Sequence, residues 1–118
     1  MKKLNKKEVQ LFDKHLNVFL EELKESNLDY LEIYNKLESL VTINASLNRL
    51  NELACSYELT SRQEKRLENL ENEAINIIES LGFKGDTQRD PRGEAILIYL
   101  PSGKYNSWDG ESYRIGIY

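Results

Sequence analysis

Apolar residues recur at spacings of three and four along the first two thirds of the chain. Val9, Phe12, Leu16, Phe19 and Leu23 make one such seam, the pattern of a helix with a single buried stripe. Asn5 and Glu8 precede it with the spacing of a capping box, which puts the helix start near residue 5. Ser26-Asn27 is a break or a kink, so residues 5–58 read either as one bent helix or as two. A second seam over about 29–58 runs through Ile33, Leu37, Leu40, Ile43, Leu47, Leu50, Ala54 and Tyr57. A third begins at Thr60 or Ser61, either of which can cap with Gln63 or Glu64 reciprocating, and continues through Leu67, Leu70, Ala74, Ile77 and Leu81. Gly82 is placed to end it in the left-handed conformation.

From Phe83 the period changes. Phe83 to Asp86 reads as a short strand or a lead-in, and Glu94 to Leu100 is a nearly continuous apolar run expected to be a buried strand. Pro101-Ser102-Gly103-Lys104 has turn chemistry, with Tyr105 to Trp108 expected to return antiparallel. Asp109-Gly110 marks another turn before a last strand, Tyr113 to Tyr118, in which Arg114 faces away from Tyr113 and Ile115. The pattern therefore predicts an α+β domain over 1–118. Two or three long amphipathic antiparallel helices (5–81) precede a small C-terminal antiparallel β-meander (83–118). The stripes are narrow, like coiled-coil seams, so their partner is expected to be the sheet or another copy of the chain.

Composition narrows the function. The net charge is −4, and the acid lies mainly on the helices: residues 1–81 hold 11 basic and 15 acidic side chains, residues 82–118 five of each. Phosphate backbones are bound by clustered Lys and Arg, so no nucleic-acid partner is expected. The opening segment is Lys-rich without an apolar core, and no apolar stretch approaches ~20 residues, so neither a signal peptide nor a membrane span is expected. The single cysteine, Cys55, excludes an internal disulfide and reads as a small buried hydrophobe in a cytoplasmic protein. The single histidine, His15, reads as a helix-surface residue. With one His and one Cys there is no zinc pattern, and no phosphate loop, nucleophile elbow or triad is present. The expectation is a protein without metal, cofactor or catalytic activity.

Candidate chemistry collects after residue 82. In Asp90-Pro91-Arg92-Gly93, Pro91 stiffens the backbone and Gly93 permits close approach, so Arg92 is held where its planar fork can engage a phosphate. The same segment also reads as a simple hairpin lead-in. Trp108 can stack on a base with Asn106 at its edge, or cover the sheet. Arg114 in an apolar strand calls for an anion or a carboxylate such as Asp109 or Glu111. Phe83 either packs back on the preceding helix or stacks on a ligand between helix and sheet.

The order Asp90-Pro91-Arg92-Gly93, apolar strand, Leu100-Pro101-Ser102-Gly103, Asn106-x-Trp108 and a glycine-containing last strand resembles the C-terminal signature of small phage-encoded proteins. Among these it looks most like the anti-Thoeris sponges, which counter a TIR-domain bacterial defence. The resemblance covers roughly the last quarter of the chain. It implies a non-enzymatic binder that sequesters a cyclic ADP-ribose isomer in the cytoplasm of the infected host. It also implies a homo-oligomer, dimer to hexamer, with pockets between chains. Carried over, Arg92 and Arg114 would meet the diphosphate, Asn106 a base or ribose edge, Phe83 or Trp108 the adenine, and Asp90 a ribose hydroxyl. The other reading is a helical interaction module that inhibits a host protein.

Overall fold

A computed structural model of the chain describes residues 6–90, 93–105 and 112–115, the side chains of 6–9, 11, 90 and 93 excepted. Among these are helices α1 (Lys6–Glu22), α2 (Tyr30–Ser56) and α3 (Ser61–Ser80), then strands β1 (Lys84–Asp90), β2 (Gly93–Tyr99) and β3 (Tyr113–Ile115). The class is α+β, as the periodicity predicts. None of the helices is long and apolar enough to cross a membrane.

Residues 5–58 form two helices rather than one. Asp29, in extended backbone, accepts a hydrogen bond from the Glu32 amide at 2.8 Å and starts α2 as its N-cap. Thr60 starts α3 with a capping box in which Gln63 is the reciprocating residue, with bonds of 3.2 and 2.9 Å. Gly82, at φ 91°, ends α3. Its amide bonds to Glu79 O at 2.9 Å and the Phe83 amide bonds to Ile78 O at 3.2 Å, the two-bond pattern of a Schellman turn. The predicted cap at Asn5 and Glu8 lies outside the described residues, as does the side chain of Val9.

The seams face one core. Phe12, Leu16, Phe19 and Leu23 of the α1 stretch meet Ile33, Leu37, Leu40, Ile43, Leu47 and Leu50 of α2 and Leu67, Ala74 and Ile78 of α3. The α2 seam is shorter than its pattern. Ala54 and Cys55 are exposed and Tyr57 is 71% exposed, because the last turns of α2 extend past the core. Cys55 is therefore a surface thiol and not the buried hydrophobe expected of it. On α3 Ile78 is fully buried along with the predicted Ala74, and the predicted Ile77 is only half-buried. The sheet packs against this helix and shifts its buried face.

The sheet is a meander in the order β1-β2-β3, antiparallel throughout, with Asp90 opposite Gly93 and Leu97 opposite Arg114. Its first strand is Lys84–Asp90, longer than the lead-in the pattern suggests. The expected return strand at 105–108 does not supply a member of this sheet among the described residues. Tyr105 lies in a turn, residues 106–108 fall outside the description, and β2 pairs instead with Tyr113–Ile115. The turn itself is where expected, with the Gly103 amide bonded to Leu100 O at 3.1 Å.

Alternation assigns the faces. Gly85, Thr87, Arg89, Glu94, Ile96, Ile98, Tyr113 and Ile115 point one way, towards the helices, while Asp86, Gln88, Leu97 and Arg114 point the other. His15 of α1 is buried and shares a hydrogen bond through Nδ1 with the Tyr113 hydroxyl. That overturns the surface placement expected for it: β3 lies across the helix and covers this residue. Burial, helped by the Lys14 charge, lowers the His15 pKa to about 4. Burial likewise holds the Tyr113 phenol far above its ordinary range, so both groups stay neutral.

Two outcomes follow from this packing. A Cβ on Gly85 would stand 2.7, 2.9 and 3.0 Å from Cδ1, Cγ2 and Cβ of the buried Ile78, and the last two cannot swing aside without moving α3. Gly85→Ala is expected to lower stability by about 1–3 kcal/mol, read as a fall in the urea midpoint; an unchanged midpoint would show that the helix yields. For His15, the unfolded chain takes up a proton below about 6.5 while the folded protein resists until about 4. Its contribution to stability is thus lost as pH falls through that window. The stability of His15→Gln relative to the parent should rise from pH 7 to pH 4.5, measured by urea titration at both.

Candidate functional site

The junction of β1, β2 and the helices is built around Glu94. Among the described residues β3 pairs with Ile96–Ile98 only, and beyond that pairing the amide and carbonyl of Glu94 turn to α2. Asn44, Asn48 and Asn51 lie at i, i+4 and i+7 on α2 and are buried. The Glu94 amide donates to Asn48 Oδ1 at 2.8 Å, and the Glu94 carbonyl accepts from Asn44 Nδ2 and Asn48 Nδ2, each at 3.0 Å. Asn48 Nδ2 also reaches Asn44 O and Oδ1 at 3.0 and 3.2 Å. A side-chain amide thus satisfies a buried strand edge as a neighbouring strand would.

The Glu94 side chain is 0% exposed and lies beside Glu71 of α3 and Arg89 of β1. Arg89 Nη2 donates to both Glu71 oxygens, at 2.9 and 3.0 Å, and Thr87 Oγ1 donates to Glu71 Oε2 at 3.2 Å. Arg89 Nε is 3.8 Å from Glu94 Oε2. Burial above all, then the hydrogen bond and charge of Glu71, push the Glu94 pKa up to about 8, against the pull of Arg89. Burial also works against ionising Glu71. The hydrogen bonds from Glu94, Arg89 and Thr87, with the Arg89 charge, outweigh it and hold Glu71 below the usual range. At neutral pH the two carboxyls share one proton, which resides on Glu94.

Of the six residues singled out in sequence, the two whose side chains are described, Phe83 and Arg114, lie away from this junction. Phe83 is 8% exposed in the core, edge-on to Phe19 at 6.1 Å and 77°. Of the alternatives open for it, packing on the helices is the one observed. Arg114 is half-buried on the outer face of the sheet and donates through Nη2 to Gln88 Oε1 on β1. Asp90 closes the β1–β2 hairpin opposite Gly93, which is the hairpin role open for Asp90-Pro91-Arg92-Gly93. The Asp90 side chain and Arg92, Asn106 and Trp108 lie outside the described residues. No group of His, Cys, Asp or Glu among the described residues is arranged to hold a metal ion.

Sequence reasoning missed Glu71, Arg89 and the asparagine row. Glu71 looks like any solvated helix acid, and only strand register brings Arg89 and Glu94 beside it. The asparagines at i, i+4 and i+7 were the available signal, being polar on a face otherwise fit for burial. Compared with protein-family models, characterised proteins and solved structures, the chain matches none.

The shared proton has a measurable consequence. Between the usual 4.5 and about 8 the unfolded chain has lost the Glu94 proton and the folded protein keeps it. This group's contribution therefore makes stability fall as pH rises through that window, by at most about 1.4 kcal/mol per pH unit. Glu94→Gln removes the titration. Its stability relative to the parent is expected to rise from pH 5 to pH 8 and then level, by urea unfolding at stepped pH; a constant difference would show that Glu94 is already ionised in the fold.

Proposed function

We propose that the chain is a non-enzymatic binder that sequesters a cyclic ADP-ribose-type signalling nucleotide, a phage counter-defence against TIR-based immunity. It acts as a homo-oligomer in the cytoplasm of the infected bacterium. The observation that carries the reading is Arg114, held half-buried on the outer sheet face by Gln88. A guanidinium fixed on a strand is oriented for a diphosphate at low entropic cost. Arg92 stands in sequence between the paired Asp90 and Gly93 and is the second candidate for the diphosphate. Because Phe83 belongs to the core, adenine stacking falls to Trp108.

A second reading, docking of a host protein on the helices, is favoured by the exposure of Tyr30 (57%) and Leu31 (64%) at the start of α2. The two separate in one experiment. The protein is mixed with cyclic ADP-ribose isomers, freed of unbound ligand and heat-denatured. Intact nucleotide should be recovered, and Arg92→Ala or Arg114→Ala should weaken retention by about tenfold or more. Absence of retained nucleotide, or release of a cleaved product, would sink the sponge. Activity that survives both arginine changes and is lost with Tyr30→Ala/Leu31→Ala would favour the docking module.

A further inference from the structure

A cleft of about 460 Å³ opens between the last turns of α2 and the first turns of α3, a size typical of binding pockets. Leu59 and the buried Leu67 give it an apolar base, and Glu58, Glu64 and Glu68 surround it. Glu64, Glu68 and Glu71 stand at i, i+4 and i+7, in one row along α3 with rises of about 6 and 4.5 Å. Arg89 neutralises Glu71 at the end of the row. Among the described residues, no ion pair engages the other three glutamates. Every residue from 52 to 58 is exposed, so the end of α2 that forms one wall projects beyond the core.

The complement of this cleft is in the chain itself. Residues 1–7, Met-Lys-Lys-Leu-Asn-Lys-Lys, carry four lysines around one leucine and no acid, in a chain of net charge −4. Lys6 and Lys7 open α1, where positive charge opposes the helix dipole. An acidic partner would offset that cost. We propose that the cleft receives segment 1–7 of a second copy of the chain, its lysines meeting the unpaired glutamates and Leu4 the apolar base. A second copy, more than a chain's own short segment, also covers the projecting end of α2. The contact is independent of the nucleotide reading and forms without ligand.

The test is the mass of the ligand-free protein in solution, by light scattering and sedimentation across concentration and salt. The parent should associate at low salt, with the dissociation constant rising at least tenfold in molar salt as exposed charge pairs are screened. Lys2→Glu/Lys3→Glu/Lys6→Glu/Lys7→Glu and Glu64→Lys/Glu68→Lys should each be monomeric. An equimolar mixture of the two should associate again, because each supplies what the other now fits. Glu64→Gln/Glu68→Gln, a milder change on exposed positions, should weaken association in the same direction, with circular dichroism melts confirming the fold of each variant. A parent that stays monomeric at every concentration would place the segment in its own cleft or nowhere, and overturns the proposal. Charge variants that keep the parent's mass, or folded variants whose mixture fails to reassociate, overturn it too.

Discussion

The structure depends on how one buried strand edge is satisfied. β2 carries the apolar centre of the sheet, and among the described residues β3 pairs only with Ile96–Ile98, while the backbone of Glu94 turns to α2. A buried amide and carbonyl in that position would cost more than the strand's packing could readily offset. Asn48 donates and accepts from a single side chain and Asn44 adds a second donor. The cost is removed and the register of the sheet on α2 is set in the same stroke. The remaining helix-sheet contacts, including Gly85 against Ile78, are possible because that register holds.

Electrostatics at the same junction is arranged around neutrality. Glu71 keeps its charge because Arg89 and Thr87 hydrogen-bond to it, and Glu94 keeps its proton because it is buried beside that charge. His15 and Tyr113 repeat the arrangement between α1 and β3, each kept neutral by burial. The two buried groups respond to pH in opposite directions. Acid charges the histidine, and alkali removes the proton from the carboxyl. The contributions of these two groups therefore favour the fold between these limits.

These constraints separate scaffold from surface. Residues facing the helices, Phe83, Glu94 and Tyr113 among them, are committed to the core. The outer sheet face retains Arg114 with Gln88, and the acidic cleft at the α2–α3 end lies on another part of the molecule. The ligand surface proposed on the sheet and the assembly surface proposed on the helices thus use different residues.

Local pattern was sufficient for the helices, their caps and the change to strand after Phe83. Apolar periodicity and capping chemistry act over a few residues, and Thr60-x-x-Gln63, Gly82 and the 100–103 turn could all be read from neighbours in sequence. The facing of Arg114 away from Tyr113 followed from alternation alone. Tertiary structure decided the rest. Which strand joins β2, the burial of His15, the exposure of Cys55, the core placement of Phe83 and the meeting of Glu71 with Arg89 and Glu94 all depend on residues far apart in the chain. Burial and pKa are properties of what packs against a residue, and a lone glutamate or histidine in a helical stretch carries no mark of the strand that will cover it.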